Sequence, residues 1–193
     1  MKLKNIGLAA LAAMALAAFA ASTASATTLE LNGVTKNASV DFSASAESGT
    51  SFVVARTDGS LANTCTTSTI AGATSSKVTG TIVTGAVSSL SFGSCSETVT
   101  VDDNGRLYIE YTSGTNGTVF SEEAEVTIKT PFGNHVNCKT GGGTDLGTLT
   151  GKASGTATLD VNAVLNCGFL LPSATWKGSY TVTSTGGSLG VSA

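Results

Sequence analysis

Apolar and polar residues alternate with a period of two along most of this chain, the spacing of strands whose two faces meet different surroundings. Leu29 and Leu31 alternate with Thr28 and Glu30, so residues 27–34 and 38–45 read as short strands around Asn32-Gly33 and Lys36-Asn37. A third strand, 51–57, carries Phe52, Val53 and Val54 and ends at the Asp58-Gly59 turn. Residues 77–92 are rich in Val, Ile and Thr, with Gly80 and Gly85 as bulges or breaks. Val99 and Val101, then Leu107, Ile109 and Tyr111, alternate with polar partners on either side of Asn104-Gly105. That dipeptide suits a tight two-residue turn, so the pattern predicts a hairpin over 97–112. Residues 118–130 read as one strand, with Ala124, Val126 and Ile128 facing in, Glu123, Glu125, Thr127 and Lys129 facing out, and Pro131 stopping it. In the last strong strand Trp176, Gly178, Tyr180 and Val182 line one face, and Thr175, Lys177, Ser179 and Thr181 the other.

No window beyond residue 26 sustains a helical period. Many short strands with turn signals roughly every 8–12 residues predict an all-β fold, an antiparallel β-sandwich or jelly-roll-like single domain. Both prolines fall at strand borders, where strands tolerate them.

The first 26 residues have another character. Lys2 and Lys4 precede an Ala/Leu-rich apolar run from Ile6 to Ala21, and Ala24-Ser25-Ala26 forms a small-x-small cleavage site ahead of Thr27. This is the pattern of a secretory signal peptide over 1–26, cleaved after Ala26, leaving a secreted domain over 27–193. The mature protein is expected outside the cell or at its surface. No later stretch has the length and apolarity of a membrane span, so no integral membrane segment is expected.

Export changes how the cysteines read. Four cysteines in an exported chain imply two disulfides, with three connectivities open. Cys65 to Cys95 and Cys138 to Cys167 form two frames of nearly equal length, each opening in a polar loop and closing after an apolar run; they favour Cys65–Cys95 with Cys138–Cys167. Neither frame contains C-x-x-C, so metal and redox roles have no support, and no cofactor is expected.

Composition narrows the partners. Charged residues make up 12% of the chain, about half the usual share, with Thr, Ser, Gly and Ala in their place. With Lys2 and Lys4 removed, eight basic residues face thirteen acidic ones, a net charge of −5. That balance, without a Lys/Arg cluster, disfavours nucleic acid and anionic membrane surfaces. A weakly charged, hydroxyl-rich surface tolerates contact with copies of itself, and the N-terminal segment 28–44 lies outside both frames, as the part freest to pair with another chain.

Candidate chemistry is thin. Gly186-Gly187-Ser188-Leu189-Gly190 matches a nucleophile-elbow pattern, but only three residues follow and none is acidic or His, so it reads as a Gly/Ser tail. His135 is the single histidine, and no serine is singled out beside it. Asp102 and Asp103 offer oxygens to calcium, but the turn at Asn104-Gly105 explains them and the EF-hand spacing is missing. Glu122 and Glu123, as neighbours on a strand, point to opposite faces and cannot flank one bond. Trp176 and Tyr180 share a face and are the candidate ligand-stacking pair, although core packing is the commoner use of such rings.

Asn63-Thr64-Cys65-Thr66, followed by Val87-Ser88-Ser89-Leu90-Ser91-Phe92-Gly93 and Cys95, resembles the secreted bacterial family called protein activator of alkane oxidation (PraB-like). The second frame and Ala174-Thr175-Trp176-Lys177-Gly178-Ser179-Tyr180 look similar to extended members of the same group. The resemblance implies a small exported β protein without catalytic residues, associated with the cell surface or biofilm matrix.

Two functional expectations follow. The first is a non-enzymatic extracellular or surface-matrix protein, self-associating or meeting apolar and polymeric material. The second is a secreted binding module for carbohydrate or a small apolar ligand, through the face carrying Trp176 and Tyr180; exposed rings there favour it, and buried rings sink it.

Overall fold

The period-two segments become strands, and pairings distant in sequence close most of them into a barrel. The computed structural model describes residues 26–193 except 57, 61–62, 76–78, 131–132 and 169–173. The expected signal peptide over 1–26, except Ala26, lies outside the described residues, as do Pro131 and Pro172. In chain order the first eight strands are β1 (Thr27–Leu31), β2 (Val34–Thr35), β3 (Asp41–Ala46), β4 (Phe52–Arg56), β5 (Asn63–Thr74), β6 (Thr79–Gly80), β7 (Val83–Cys95) and β8 (Val99–Asp103). Then come β9 (Arg106–Ser113), β10 (Asn116–Glu122), β11 (Glu125–Lys129), β12 (His135–Lys139), β13 (Thr144–Thr150), β14 (Ala157–Leu165), β15 (Ala174–Ser184) and β16 (Leu189–Ser192).

The largest sheet runs β14-β13-β10-β9-β7-β5-β3-β15, and β15 pairs back onto β14 from Ala157↔Val182 to Leu165↔Ala174. That last ladder closes eight antiparallel strands into a barrel. β4 continues the line of β3, because both lie between β15 and β5, separated by a detour over 47–51. The expectation of a sandwich or jelly roll is corrected here. The inward residues of the sheet, among them Ala44, Phe52, Ile70, Val83, Val119, Leu149, Leu159, Tyr180 and Val182, meet one another across the barrel axis instead of a second sheet.

Two small sheets accompany the barrel's ends. At one end β1 pairs with β16 on one side and with β2 and β6 on the other. Leu29, Leu31, Leu189 and Val191 are buried there, and Leu189 lines the barrel's interior beside Val182 and Leu159. At the other end β11 sits between β8 and β12, with Val126 and Cys138 packed toward Leu90, Phe92 and Trp176.

One long two-stranded ribbon joins the barrel to this second cap. β9 and β10 pair inside the barrel and meet at Gly114-Thr115, while their continuations β8 and β11 pair in the cap. The expected hairpin over 97–112 therefore does not form: β8 pairs with β11, not β9. A tight turn of that type needs positive φ at both central residues, and here only Gly105 has it, at 66°. Asn104 uses its side chain instead, accepting from Leu90 N at 3.0 Å and donating to Ser88 O at 3.2 Å along the edge of β7. Gly105 is required at this bend, since a Cβ would lie 2.5 Å from Glu122 O and Ala124 N.

The partner strand bends opposite, at Glu123, with φ of 62°. This splits the expected strand over 118–130 and reverses its phase. Val119 and Ser121 are buried before the bend, Val126 and Ile128 face the core after it, and Phe120 and Glu122 are turned outward.

The N-terminal segment is also corrected. β1 is already paired on both edges, Thr27 and Thr28 are buried, and β3 is an integral barrel strand between β5 and β15. Thr27 Oγ1 donates to Thr81 O at 2.8 Å and accepts from Tyr111 N at 2.9 Å. The supposed Gly/Ser tail is β16, the partner that β1 requires.

Candidate functional site

The four cysteines form two disulfides, Cys65–Cys95 and Cys138–Cys167, in the pairing the matched frames favour. Cys65 and Cys95 stand in register on β5 and β7. Cys138 on β12 meets Cys167 just beyond β14, beside the backbone bridge between Lys139 and Asn166. The two frames are not structural repeats: one joins neighbouring barrel strands, the other ties a cap strand to the barrel.

Trp176 and Tyr180 do not form a ligand face. Trp176 is 7% exposed and Tyr180 fully buried. Their rings meet edge-on at 6.5 Å, with Phe52 packed 4.4 Å from Tyr180 and Phe92 5.9 Å from Trp176. Gly178 makes this packing possible, since a Cβ there would sit 2.2 Å from the Phe52 ring. Tyr180 O–H bonds Ser68 Oγ at 2.8 Å, and Ser68 in turn donates to Ser91 O. Burial pushes the Tyr180 hydroxyl well above the usual tyrosine range, with the Ser68 hydrogen bond partly opposing it. The ligand-binding reading that rested on these two rings falls with them.

The remaining candidates find structural duties. His135 is exposed at the start of β12, in an open depression with Asn137, Lys139 and Asn166 that no serine, threonine or free cysteine lines. Asp102 accepts from Thr127 Oγ1 at 2.6 Å, and Asp103 accepts from Gly105 N at 2.8 Å, so both carboxylates hold the ribbon and its bend. Ser188 is buried, its N–H donating to Asn32 Oδ1 at 2.9 Å.

Glu122 and Glu123 behave differently from expectation. The positive φ at Glu123 interrupts strand alternation and turns both carboxylates toward one guanidinium. Arg106 bonds Glu123, and its Nε lies 3.8 Å from Glu122 Oε2, while Tyr108 O–H donates to Glu122. The hydrogen bond to Glu123 raises the Arg106 pKa, and the hydrogen bond to Glu122 raises that of the Tyr108 hydroxyl.

This cluster borders a surface trough of about 610 Å³. Ala73, Thr84 and Ala86 give it a floor of small side chains, Tyr108 and Arg106 rise along one side, and Asp103 and Glu123 stand at its end. Tyr108 and its cross-strand neighbour Phe120 are half-buried aromatics that do not pack on the core. Sequence reasoning passed over this place, although a signal existed. Eight of the chain's 23 charged residues fall within 102–129, in a protein otherwise poor in charge.

The rest of the wall carries hydroxyls. Thr150, Thr158, Thr181, Ser45, Thr69 and Ser91 lie side by side on six successive strands, β13-β14-β15-β3-β5-β7, each between inward-facing neighbours. Thr69 and Ser91 share a 2.7 Å hydrogen bond. Among the described residues no helix is long and apolar enough to cross a membrane, and no group of three His, Cys, Asp or Glu is placed to hold a metal ion. Comparison with known proteins returns no match, whether among family models, curated proteins or solved structures.

Proposed function

We propose that this chain is a non-catalytic extracellular protein that works through the outer wall of its barrel, at the cell surface or in the surrounding matrix, in contact with polymeric material. The hydroxyl row across six strands is the observation that carries the reading. Ordered hydroxyls on a rigid sheet suit many weak polar contacts with a hydrated polymer and repel little. The interior supports the same view. Its gap near the β1/β16 cap measures about 40 Å³ and is lined by apolar side chains such as Val83, Ile109, Leu149 and Leu189, far below the few hundred Å³ of an ordinary ligand site. The polarity of the wall favours water over lipid, since a membrane barrel carries an apolar band outside, the reverse of this arrangement. Two disulfides fit an oxidising compartment.

The test is to express the full chain in a bacterial host and label intact cells with a membrane-impermeant reagent. The expected product lacks residues 1–26, is oxidised at all four cysteines, and is labelled at the surface or found in the medium. Cytoplasmic retention with free thiols overturns the extracellular half, and saturable hydrolysis that disappears in His135→Ala overturns the non-catalytic half.

A further inference from the structure

We propose that the trough beside Tyr108 binds a neutral polysaccharide chain. The inference rests on the reading of the outer wall as the working surface and names one ligand class for it. Three features converge on that class. The first is shape: about 610 Å³, open to solvent, with a floor of Ala73, Thr84 and Ala86 that lets a chain lie flat. This is the size of ordinary ligand sites, and the wall continues past Tyr108 to Phe120 on the next strand.

The second is the ring. Tyr108 stands at the trough's side with its hydroxyl held by Glu122, so the ring is fixed before anything binds. A sugar ring presents C–H groups on its faces and hydroxyls around its edge. An aromatic face takes the first, and planar polar groups take the second.

The third is charge. Glu122 and Glu123 lie against the guanidinium of Arg106, and Asp103 also lines the trough. Three carboxylates against one cation repel phosphate, sulfate and uronate chains, which excludes acidic polymers. The guanidinium keeps donors beyond those spent on Glu122 and Glu123, and each carboxylate has lone pairs to spare. Donors and acceptors thus lie side by side, which vicinal hydroxyls can satisfy together.

The experiment is native electrophoresis of the mature protein through gels containing hydroxyethylcellulose, galactomannan, laminarin, dextran or pullulan. At least one polymer should retard the protein. Tyr108→Ala and Arg106→Ala should each weaken that binding about tenfold, the loss typical of a central contact residue. Tyr108→Phe keeps the ring but loses its tie to Glu122, so it should bind better than Tyr108→Ala and less well than the parent, while Thr181→Ala on the distant wall should bind as the parent does. All three positions are on the outer surface, and circular dichroism should show parental thermal midpoints for the four variants. No retardation by any of the five polymers overturns the proposal, as does equal retardation of Tyr108→Ala. Binding of poly-lysine instead, abolished by salt, assigns the trough to basic peptides and overturns it too. An exported, oxidised protein that no gel retards fails this inference alone and leaves the extracellular reading standing.

Discussion

The cap built from β8, β11 and β12 and the cap built from β1 and β16 sit at opposite ends of one barrel and are secured by different physics. Both disulfides lie toward the first: Cys65–Cys95 joins β5 and β7 there, and Cys138–Cys167 ties β12 to the end of β14. The second end has no disulfide. It is held by Leu29, Leu31, Leu189 and Val191, and by the Thr27 hydroxyl between Thr81 and Tyr111. The difference follows from connectivity. β8 and β11 are continuations of barrel strands and arrive with them, whereas β12 needs its own anchor. β1 and β16 come from opposite extremes of the described chain, with Thr28 paired to Ser192, so their pairing closes a loop that spans nearly the whole of it. One end is therefore fixed by covalent bonds and the other by apolar burial.

The largest test removes the uncrosslinked cap. A mature chain beginning at Asn32 lacks β1 and with it Leu29 and Leu31, 0% and 5% exposed. Each buried leucine cut to Ala costs about 2–5 kcal/mol, and total stabilities are about 5–15 kcal/mol. Losing both, and uncovering Leu189 and Val191, should abolish the cooperative thermal transition; Leu29→Ala alone should lower it within the range of one such substitution. A truncated protein that melts like the parent would show that the terminal strands merely decorate the barrel.

The disulfides sharpen the comparison. The two close loops of 30 and 29 residues, so the chain-entropy model gives each about 3–4 kcal/mol. Cys65→Ser/Cys95→Ser and Cys138→Ser/Cys167→Ser should therefore lower the urea midpoint by similar amounts. Their native states should differ. β5 and β7 stay laddered along their length without the bond, but β12 keeps only the single Lys139–Asn166 bridge to the end of β14. Amide exchange at Val126, Ile128 and Val136 should quicken in the second variant and not in the first. Equal exchange in both would mean that the cap is held by packing alone.

How much of this was legible follows the range of the interactions. Strand character and cysteine pairing were legible because both rest on local signals, the period of two and the matched frames. The polar partners Thr175, Lys177, Ser179 and Thr181 set Trp176 and Tyr180 together on the opposite face of β15, but left open whether that face met a ligand or the core. Barrel closure was not legible, because it needs β15 to pair with β3 from near the other end of the described chain, and no local signal in either strand names that partner. The break in the ribbon was hidden for another reason. Glu123 adopts a left-handed φ that its residue type does not announce, and that one residue reverses the face of Phe120 and turns two carboxylates onto Arg106. The candidate trough therefore arises where the alternation fails.

The smallest effect is expected between the two ends, at Tyr180. Its hydroxyl bonds Ser68 inside the barrel, and burial holds its pKa above the usual value of about 10. In the unfolded chain the phenol ionises near that usual value while the folded protein keeps its proton. Above about pH 10 the native state thus binds more protons than the unfolded state. The sign is fixed: this contribution is fully present below the unfolded pKa and is lost as pH rises toward the folded one. Tyr180→Phe should cost about 1 kcal/mol at neutral pH, since Ser68 still donates to Ser91 O and only one hydrogen bond is lost. In the alkaline range the variant should lose stability less steeply than the parent, in urea midpoints measured from neutral pH upward. The loss should also be global, because Tyr180 belongs to the common core, so exchange at Leu29 and at Val126 should quicken together. An unchanged alkaline slope in Tyr180→Phe would mean that other groups carry it, and a loss confined to one cap would show that the two ends unfold separately.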